Sequence, residues 1–412
     1  MLLLLRSSVV VLLLCAVEST MARGTAQDSL PKTSSPSTHS PAKWYDKISI
    51  KGYSQFRYNR LLETNSKLKC EQCDKGIGNN QTFEFRRARL ILSGNIHERV
   101  FLYLQFDYSS DASETNKHFL QVRDAYADLA FDKKKKEYRL RFGQSKVPFG
   151  FDNLQSSSNR LPLDRSDALN SGVPNERDFG AFFYYAPANI RERFKTLLDD
   201  GLKGSSDYGV FGIGLYNGQT TNKPELNNDL HAVARLSYPF KIGRQIIEPG
   251  IQAYSGQYTI AKDKLSAGVK TLAIPTYLDQ RVAASLVLYP QPFGIQAEYN
   301  VGKGPTFDAT ADSITVQKLK GGYVTASYRT KIGKKQVLIP YLRYQVYDGG
   351  KKHEQDARYY EMKEMEIGAE WLPFKNLEIT LAYVISQRQY ADLKTDYDEK
   401  GNFMRLQMQL NY

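Results

Sequence analysis

The sequence lacks the apolar runs of a helical membrane protein. After residue 16, no stretch approaches the roughly 18 apolar residues that a membrane-spanning helix needs, and the mean hydropathy of the 412 residues is −0.49. Tryptophan and cysteine are scarce, with two and three residues, whereas there are 28 tyrosines and 20 phenylalanines. Because 41% of the residues are hydrophobic and 12% are aromatic, an intrinsically disordered chain is excluded as well.

Common chemical signatures are also missing. The sequence has no GxSxG, GxxxxGK[ST] or HExxH motif, which excludes the usual hydrolase, nucleotide-binding and zinc-protease classes. Its five histidines are scattered, so we expect no metal site, no cofactor and no enzyme activity. The 56 basic and 44 acidic residues give a formal charge of +12. These charges are spread along the chain rather than grouped in a patch, and we therefore expect no nucleic-acid partner.

The N-terminus predicts export. Residues 1–16 are almost wholly apolar, with Arg6 as the only charge before Glu18, and a stretch of small residues ends at Ala26. This order predicts a secretory signal peptide over residues 1–26. A membrane anchor is the alternative, but the apolar core is short for one. Residues 27–43 are rich in Ser, Pro and Thr and predict a flexible lead-in.

Two cysteines remain after the predicted cleavage, Cys70 and Cys73, in a lone CxxC pattern. Such a pair can be half of a metal site, a redox pair or a small disulfide loop. Because an exported chain meets an oxidising compartment, we predict a disulfide between them.

Alternation with a period of two dominates the sequence from Trp44 onward. In Met404–Tyr412 every second residue is apolar, and the residues between them are polar. Successive side chains of a strand point to opposite faces, so such a segment has one apolar and one polar face. About sixteen segments of this kind follow one another along the chain. Their shorter connections are 94–99, 133–136, 239–244, 290–292, 331–335 and 373–376, and the longer ones are 63–80, 109–118, 148–176, 218–228, 259–277, 304–316, 349–358 and 391–401.

Short turns at one rim and long loops at the other are typical of bacterial outer-membrane barrels. We therefore predict an all-β fold over residues 44–412: a transmembrane antiparallel β-barrel of about 16 strands, with short periplasmic turns and long extracellular loops. A secreted β-sandwich or β-helix would also alternate. However, the segments are longer than the usual strand of about five or six residues, and Tyr and Phe flank their apolar faces as in an interfacial girdle. The final segment, ending in Tyr412, fits a strand that closes the barrel.

Parity also assigns the basic residues. An Arg or Lys facing lipid at the bilayer midplane costs about 2–4 kcal/mol, so basic residues opposite the apolar face should line the lumen. They are Lys47, Lys51, Arg57, Arg87, Arg89, Arg139, Arg141, Arg235, Arg281, Arg329, Arg343 and Arg405. A wall of one charge sign concentrates the opposite ion, and the guanidinium fork suits phosphate oxygens. Acidic residues share this parity, among them Asp107, Asp124, Asp128, Glu298, Glu366 and Glu370.

The long connection 148–176 is the predicted constriction, folded into the lumen. It carries hydroxyl and guanidinium donors suited to a weak oxyanion site, namely Ser156, Ser157, Ser158, Arg160, Arg165 and Ser166. The alternative is that this loop only narrows the pore, with Arg165 paired to Asp164 or Asp167.

Several motifs resemble the phosphate-selective porin O/P family. They are the RRARL run at Arg86–Leu90, Asp124–Tyr126, the GQSKVPFG run at Gly143–Gly150, Asp164–Ser166 and the RDFG run at Arg177–Gly180, in matching order from about residue 44 to residue 412. The resemblance implies a sixteen-stranded barrel in the outer membrane of a Gram-negative bacterium, surrounded by outer-membrane lipid and assembled as a homotrimer that passes anions such as phosphate. The N-terminal extension departs from members that carry a coiled coil there.

The expected function is passive diffusion of small anions, phosphate or other oxyanions, through a basic water-filled pore. Two alternatives stay open, because parity places acidic residues in the lumen too. One is a general diffusion porin with a weak anion preference. The other is a structural or adhesive outer-membrane barrel with a plugged lumen.

Overall fold

A computed structural model describes residues 44–61, 83–110, 118–390 and 398–412. The predicted signal peptide (1–26), the predicted lead-in (27–43) and the pair Cys70 and Cys73 lie outside the described residues, so these three expectations stay predictions.

The described residues form a closed antiparallel sheet of sixteen strands. The strands are β1 (Ile48–Leu61), β2 (Phe83–His97), β3 (Val100–Ser110), β4 (His118–Ala130), β5 (Tyr138–Lys146), β6 (Arg177–Tyr185), β7 (Phe211–Tyr216), β8 (His231–Ser237, resuming at Phe240–Ile242), β9 (Gln245–Thr259), β10 (Thr276–Leu288), β11 (Phe293–Asp308), β12 (Ser313–Tyr328, resuming at Thr330–Ile332), β13 (Gln336–Gly350), β14 (Tyr359–Phe374), β15 (Leu377–Tyr390) and β16 (Asp398–Asn411). Each strand pairs with its neighbours in sequence, and β1 pairs with both β2 and β16. The predicted barrel is confirmed.

The alternation that predicts the strands also determines which side chains face lipid. On β10, Arg281 is 2% exposed, whereas its neighbour Val282 is 45% exposed and Leu286 is 50% exposed. Apolar side chains thus cover the outer surface, and polar side chains lie inside. Lipid replaces the packed interior that would bury such residues in a soluble protein.

Three α-helices occur in the described residues: α1 (Phe151–Leu154), α2 (Asp167–Asn170) and α3 (Ala188–Asp199). Four 3-10 helices cover Trp44–Lys47, Pro174–Glu176, Lys262–Lys264 and Gln355–Ala357. In the part of the chain that the structure describes, every helix is too short or too polar to cross a membrane.

One connection differs from its predicted length, and a second interrupts the alternation of short and long connections. Strands β11 and β12 extend to Asp308 and from Ser313, so only four residues join them where a long loop over 304–316 was predicted. Conversely, residues 186–210 join β6 to β7 at the end of the barrel where the turns are short, and they include α3. The alternation in the sequence could not show this second exception, because the segment is helical.

Residues 147–176, called the constriction loop from here on, lie inside the barrel. Val147, Phe149 and Leu169 are fully buried, and they form an apolar cluster with the inward-facing Tyr254 and Tyr323 of the wall. The ring of Phe149 meets that of Tyr254 edge to face at 4.8 Å. The barrel therefore has an apolar core within its lumen, and any passage must run beside it.

Candidate functional site

The wall of the barrel holds the constriction loop in position through α1. The carboxylate of Glu298, on β11, accepts hydrogen bonds from the backbone N–H groups of Phe151 (2.5 Å) and Asp152 (2.8 Å). The hydroxyl of Tyr323 donates to the same carboxylate at 2.9 Å. From β5, the Lys146 ammonium donates to the carbonyl oxygens of Leu154 and Gln155 at 2.8 and 2.7 Å. Both ends of this helical turn are therefore tied to the wall.

The same loop brings Ser157 against two arginines of β2. The Ser157 hydroxyl accepts hydrogen bonds from Arg87 Nη1 at 2.8 Å and from Arg89 Nη1 at 3.1 Å. It also lies 2.6 Å from the hydroxyl of Tyr53, which is paired with Arg89 across β1 and β2. Arg87 and Arg89 share a face because they are two residues apart on one strand. We call Tyr53, Arg87, Arg89 and Ser157 the arginine–serine site.

The charge of this site is not fully balanced. Arg89 forms an ion pair with Asp107 at 3.0 Å. In the described parts of the chain, no carboxylate lies within ion-pair distance of Arg87, and its buried Nε has no hydrogen-bond partner. The site therefore keeps a guanidinium without an ion-paired carboxylate among the described residues, with a hydroxyl oxygen already bonded to its Nη1. An oxyanion oxygen could be held by the same donors.

A chain of ion pairs continues from Asp107 across the lumen. Arg123 lies 3.8 Å from Asp107 and 3.4 Å from Glu176, and Glu176 also pairs with Arg177 (2.6 Å) and Arg165. Burial alone would raise the pKa of Glu176, but the surrounding cations lower it well below its ordinary value. Burial lowers the pKa of Arg165 to about 9. The expected partner of Arg165, Asp164 or Asp167, is wrong; its partner is Glu176.

Arg123 was missed in the sequence because a β-bulge changes the parity. Gln105 pairs with Asp124 and Phe106 pairs with Val122, which leaves Arg123 as the extra residue of β4. Both Arg123 and Asp124 are consequently buried inside the barrel. A strict period of two places only one of two consecutive residues in the lumen.

A cavity of about 640 Å³ lies inside the barrel beside β3, β4 and β5. Arg139, Arg141, Lys146 and Arg177 line it, together with Ser156, the residue before Ser157. Arg141 forms two hydrogen bonds with Asp128, at 2.7 and 2.9 Å. Its guanidinium carbon lies 3.8 Å from the centre of the Tyr126 ring, which holds the group flat against the wall. Lys146 and Arg177 were not among the predicted lumen residues, although both belong to the quoted motifs.

Other predicted lumen arginines fasten the constriction loop to the wall. Arg57 and Arg405 pair with Asp164, the first at 3.5 Å. Arg343 lies 3.4 Å from Asp152. Arg281 donates to the carbonyl oxygens of Ala168 (3.0 Å) and Ser171 (3.2 Å). Arg235 pairs within the wall, with Glu248 at 3.1 Å.

Three predicted residues lie near the rims. Lys47 ends a 3-10 helix and precedes β1, so its predicted place on a strand is wrong, and strand parity does not apply to it. Lys51 lies on β1 and is exposed. Arg329 lies in the break between the two segments of β12 and donates to the carbonyl oxygen of Asp200 at 3.2 Å.

The remaining loop candidates bond within the loop. Ser156 and Ser158 lie 2.8 Å apart through their hydroxyls. Arg160 donates to the carbonyl oxygens of Pro162 (3.2 Å) and Leu163 (3.0 Å). Ser166 is fully buried, and its backbone N–H donates to Asp152 at 2.7 Å. Of the six candidates, the structure therefore brings only Ser157 against the arginines of the wall.

Among the described residues, no group of His, Cys, Asp and Glu side chains is arranged to hold a metal ion. The chemistry of the lumen is that of guanidinium, ammonium, hydroxyl and carboxylate groups. Such groups attract, orient and release ions.

Solved structures of outer-membrane proteins share the fold. The channel DcaP of Acinetobacter baumannii matches with a TM-score of 0.54 over 89% of this chain and 97% of that one, at 13% identity. OmpF of Salmonella typhi, in complex with daunomycin, matches with a TM-score of 0.54 over 90% and 98%, at 13% identity. OmpT of Vibrio cholerae, in a trimer form, matches with a TM-score of 0.51 over 89% and 100%, at 11% identity.

At the level of sequence, no curated protein matches this chain. The family model "Phosphate-selective porin O and P" matches residues 68–412, somewhat less than the similarity expected from about residue 44. A match over most of the chain, with a closed sixteen-stranded barrel of porin type, places the protein in the outer membrane of Gram-negative bacteria. The chain belongs to the phosphate-selective porin O and P family, whose members are channels rather than enzymes.

Proposed function

We propose that small anions diffuse passively through this porin and that oxyanions such as phosphate are held briefly at the arginine–serine site. One observation carries the proposal: the Ser157 hydroxyl accepts one hydrogen bond each from Arg87 and Arg89, and Arg87 has no carboxylate within ion-pair distance in the described residues. An oxyanion has more acceptor oxygens than a serine and carries the missing negative charge. It can therefore exchange with that contact.

The lining of the cavity supports an anion preference. Eight basic and three acidic side chains line it. Several of the basic groups are paired, as Arg141 is with Asp128, yet the surplus remains positive. In a channel with low-dielectric walls, such a surplus raises the local concentration of anions.

Weak binding is part of the proposal, because conduction requires the ion to leave as well as to enter. Tyr53, Arg87, Arg89 and Ser157 already bond one another, so an arriving anion replaces contacts instead of filling an empty site. This exchange keeps the affinity low. The alternative, a general porin with a weak anion preference, rests on the lumen carboxylates Asp107, Asp124 and Asp128.

We further propose a homotrimer. The resemblance to the family implies this assembly, and one of the structurally similar outer-membrane proteins, OmpT of Vibrio cholerae, is described in a trimer form.

Planar bilayers test the anion pathway directly. In a potassium chloride gradient, the wild-type pore should show a reversal potential that favours chloride, and phosphate should reduce the chloride current. Replacing Arg87, Arg89, Arg139 and Arg141 together by Gln should reduce the preference, most strongly at low salt, where the Debye length is about 30 Å at 0.01 M against about 3 Å at 1 M.

Two comparisons make the result specific. Arg87→Gln alone should weaken phosphate block about tenfold or more, since a hydrogen bond to a charged group contributes about 1.5–3 kcal/mol and 1.4 kcal/mol is tenfold. Lys334→Gln, which removes a positive charge from an exposed turn, should change neither quantity. A wild-type pore that favours cations would refute the proposal.

A further inference from the structure

The connection between β6 and β7 is unlike the others at its end of the barrel. Residues 186–210 span 25 residues and include the twelve-residue helix α3, whereas the other six connections at this end have two to seven residues. We call residues 186–210 the mouth segment.

One face of α3 is buried inside the barrel. Ile190, Phe194 and Leu197, spaced at i, i+4 and i+7, are 0–2% exposed. They cluster with Ile246 of β9, with Val287 of β10, with Tyr289 just after β10, and with Phe151 of the constriction loop. Apolar surface left exposed on the inner wall of a water-filled pore would cost about 25 cal/mol of free energy per Å². The helix covers this part of the wall.

The mouth segment also meets the constriction loop, which enters from the opposite end. Gln155 Nε2 donates to the carbonyl oxygen of Lys203 at 2.6 Å, and Asn159 Nδ2 donates to that of Gly204 at 2.7 Å. The Lys203 ammonium pairs with Glu370 on β14. Two inward segments thus form one partition, which is anchored to β9–β14 and, through Asp164, also to β1 and β16.

The polar side of the mouth segment faces the cavity. Arg191, Lys195 and Asp207 line it opposite Arg139. Asp207 bridges the two sides, since it lies 2.6 Å from Arg139 Nη2 and 2.7 Å from Arg191 Nε. Burial would raise the pKa of Asp207, but these two guanidinium groups outweigh it and lower the pKa. The carboxylate therefore stays ionised and holds the segment against β5.

We infer that the mouth segment is a second selectivity element of the pore. With the constriction loop, it closes the β9–β14 side of the lumen and confines solutes to the passage beside β2–β6. It limits the size of the solutes and adds Arg191 and Lys195 to the lining. The charge part of this inference rests on the proposed function; the size part does not.

Deleting the element tests its size limit. Residues 187–209 are replaced by an Asn-Gly turn like the short connections at the same end. The variant should show a severalfold higher single-channel conductance, and liposomes containing it should swell in a neutral disaccharide that the wild type excludes. Unchanged conductance and unchanged exclusion would overturn the inference.

A cysteine variant decides the matter even if the deletion does not fold. In a Cys70→Ser, Cys73→Ser background, Lys195→Cys is treated with a negatively charged methanethiosulfonate in the bilayer. Conductance should fall and anion preference should weaken, whereas Lys334→Cys on an exposed turn should not respond. No response at Lys195→Cys would overturn the inference.

The two proposals fail separately. A wild-type pore without anion preference, combined with a wider pore after the deletion, refutes the proposed function and leaves the size limit standing. A wild-type pore with anion preference, combined with an unchanged pore size after the deletion, refutes the size limit and leaves the proposed function standing.

Discussion

Among the described carboxylates of the lumen, Glu176 has three guanidinium partners. Arg123, Arg165 and Arg177 all contact its carboxylate, and Lys146 adds to the field around it. Nearby positive charges keep a buried carboxylate ionised because they offset the free-energy cost of its desolvation. Glu176 therefore keeps three guanidinium groups close together in the constriction, where they would otherwise repel one another.

Replacing Glu176 by Gln should destabilise the barrel by about 3–5 kcal/mol, because the buried arginines lose their counter-charge. The measurement is urea unfolding of the refolded protein in lipid vesicles. The exposed Glu225→Gln serves as the control. An equal stability of both variants would contradict a central role for Glu176.

The contribution of Glu176 to folding stability depends on pH with a defined sign. Because the folded pKa of Glu176 lies below its ordinary 4.5, its contribution to stability is present above pH 4.5 and is lost as the pH falls through the folded value. Stability should therefore hold from neutral pH to about 5 and decline below 4.5. In Glu176→Gln this part of the decline should be missing.

At the scale of elements, the constriction loop depends on one anchor. Glu298 accepts the N–H groups of Phe151 and Asp152, which begin α1. In Glu298→Gln, one acceptor oxygen becomes an amide that faces an N–H donor. The loop should then loosen.

We expect Glu298→Gln to raise open-channel noise and conductance and to weaken phosphate block, because Ser157 is no longer held against Arg87 and Arg89. Single-channel recording measures all three. Glu98→Gln, a substitution at a carboxylate that is 62% exposed, should behave as the wild type. If Glu298→Gln gave quiet, unchanged currents, α1 would not depend on this anchor.

Strands were predictable because their pattern is local. Each residue from β1 to β16 faces either lipid or the lumen, and a period of two follows from the pleat alone. The bulge at Arg123 was not predictable, since it depends on register with β3. The helix of the mouth segment was detectable in the sequence from the helical spacing of Ile190, Phe194 and Leu197, but a search for a period of two does not find it.

The functional residues were predictable in position but not in partners. Parity placed Arg57, Arg87 and Arg343 inside, yet it could not show that Arg57 and Arg343 hold the constriction loop while Arg87 faces Ser157. Partners depend on where a 30-residue loop folds, and that is determined by contacts distant in sequence. Motif position would have found Lys146 and Arg177, because both belong to the runs that resemble the family.

For the whole molecule, we expect a trimer in the outer membrane. The protein extracted in mild detergent should run as an oligomer on gels without boiling and as a monomer after boiling. Chemical cross-linking should give bands of one, two and three chains. A monomer under all mild conditions would contradict the proposed assembly, although it would leave the fold unaffected.

The two interior segments have a consequence for assembly. The constriction loop and the mouth segment flank a single nine-residue strand, β6, and enter the lumen from its opposite ends. The seam that closes the barrel joins β1 to β16, the first and the last strands of the barrel. An open sheet can receive both segments from the side, whereas a closed barrel admits them only through its ends. We therefore expect the constriction loop and the mouth segment to pack against the open sheet first, and β1 to pair with β16 last. An intermediate that stalls during membrane insertion would then be an open sheet with both segments already packed.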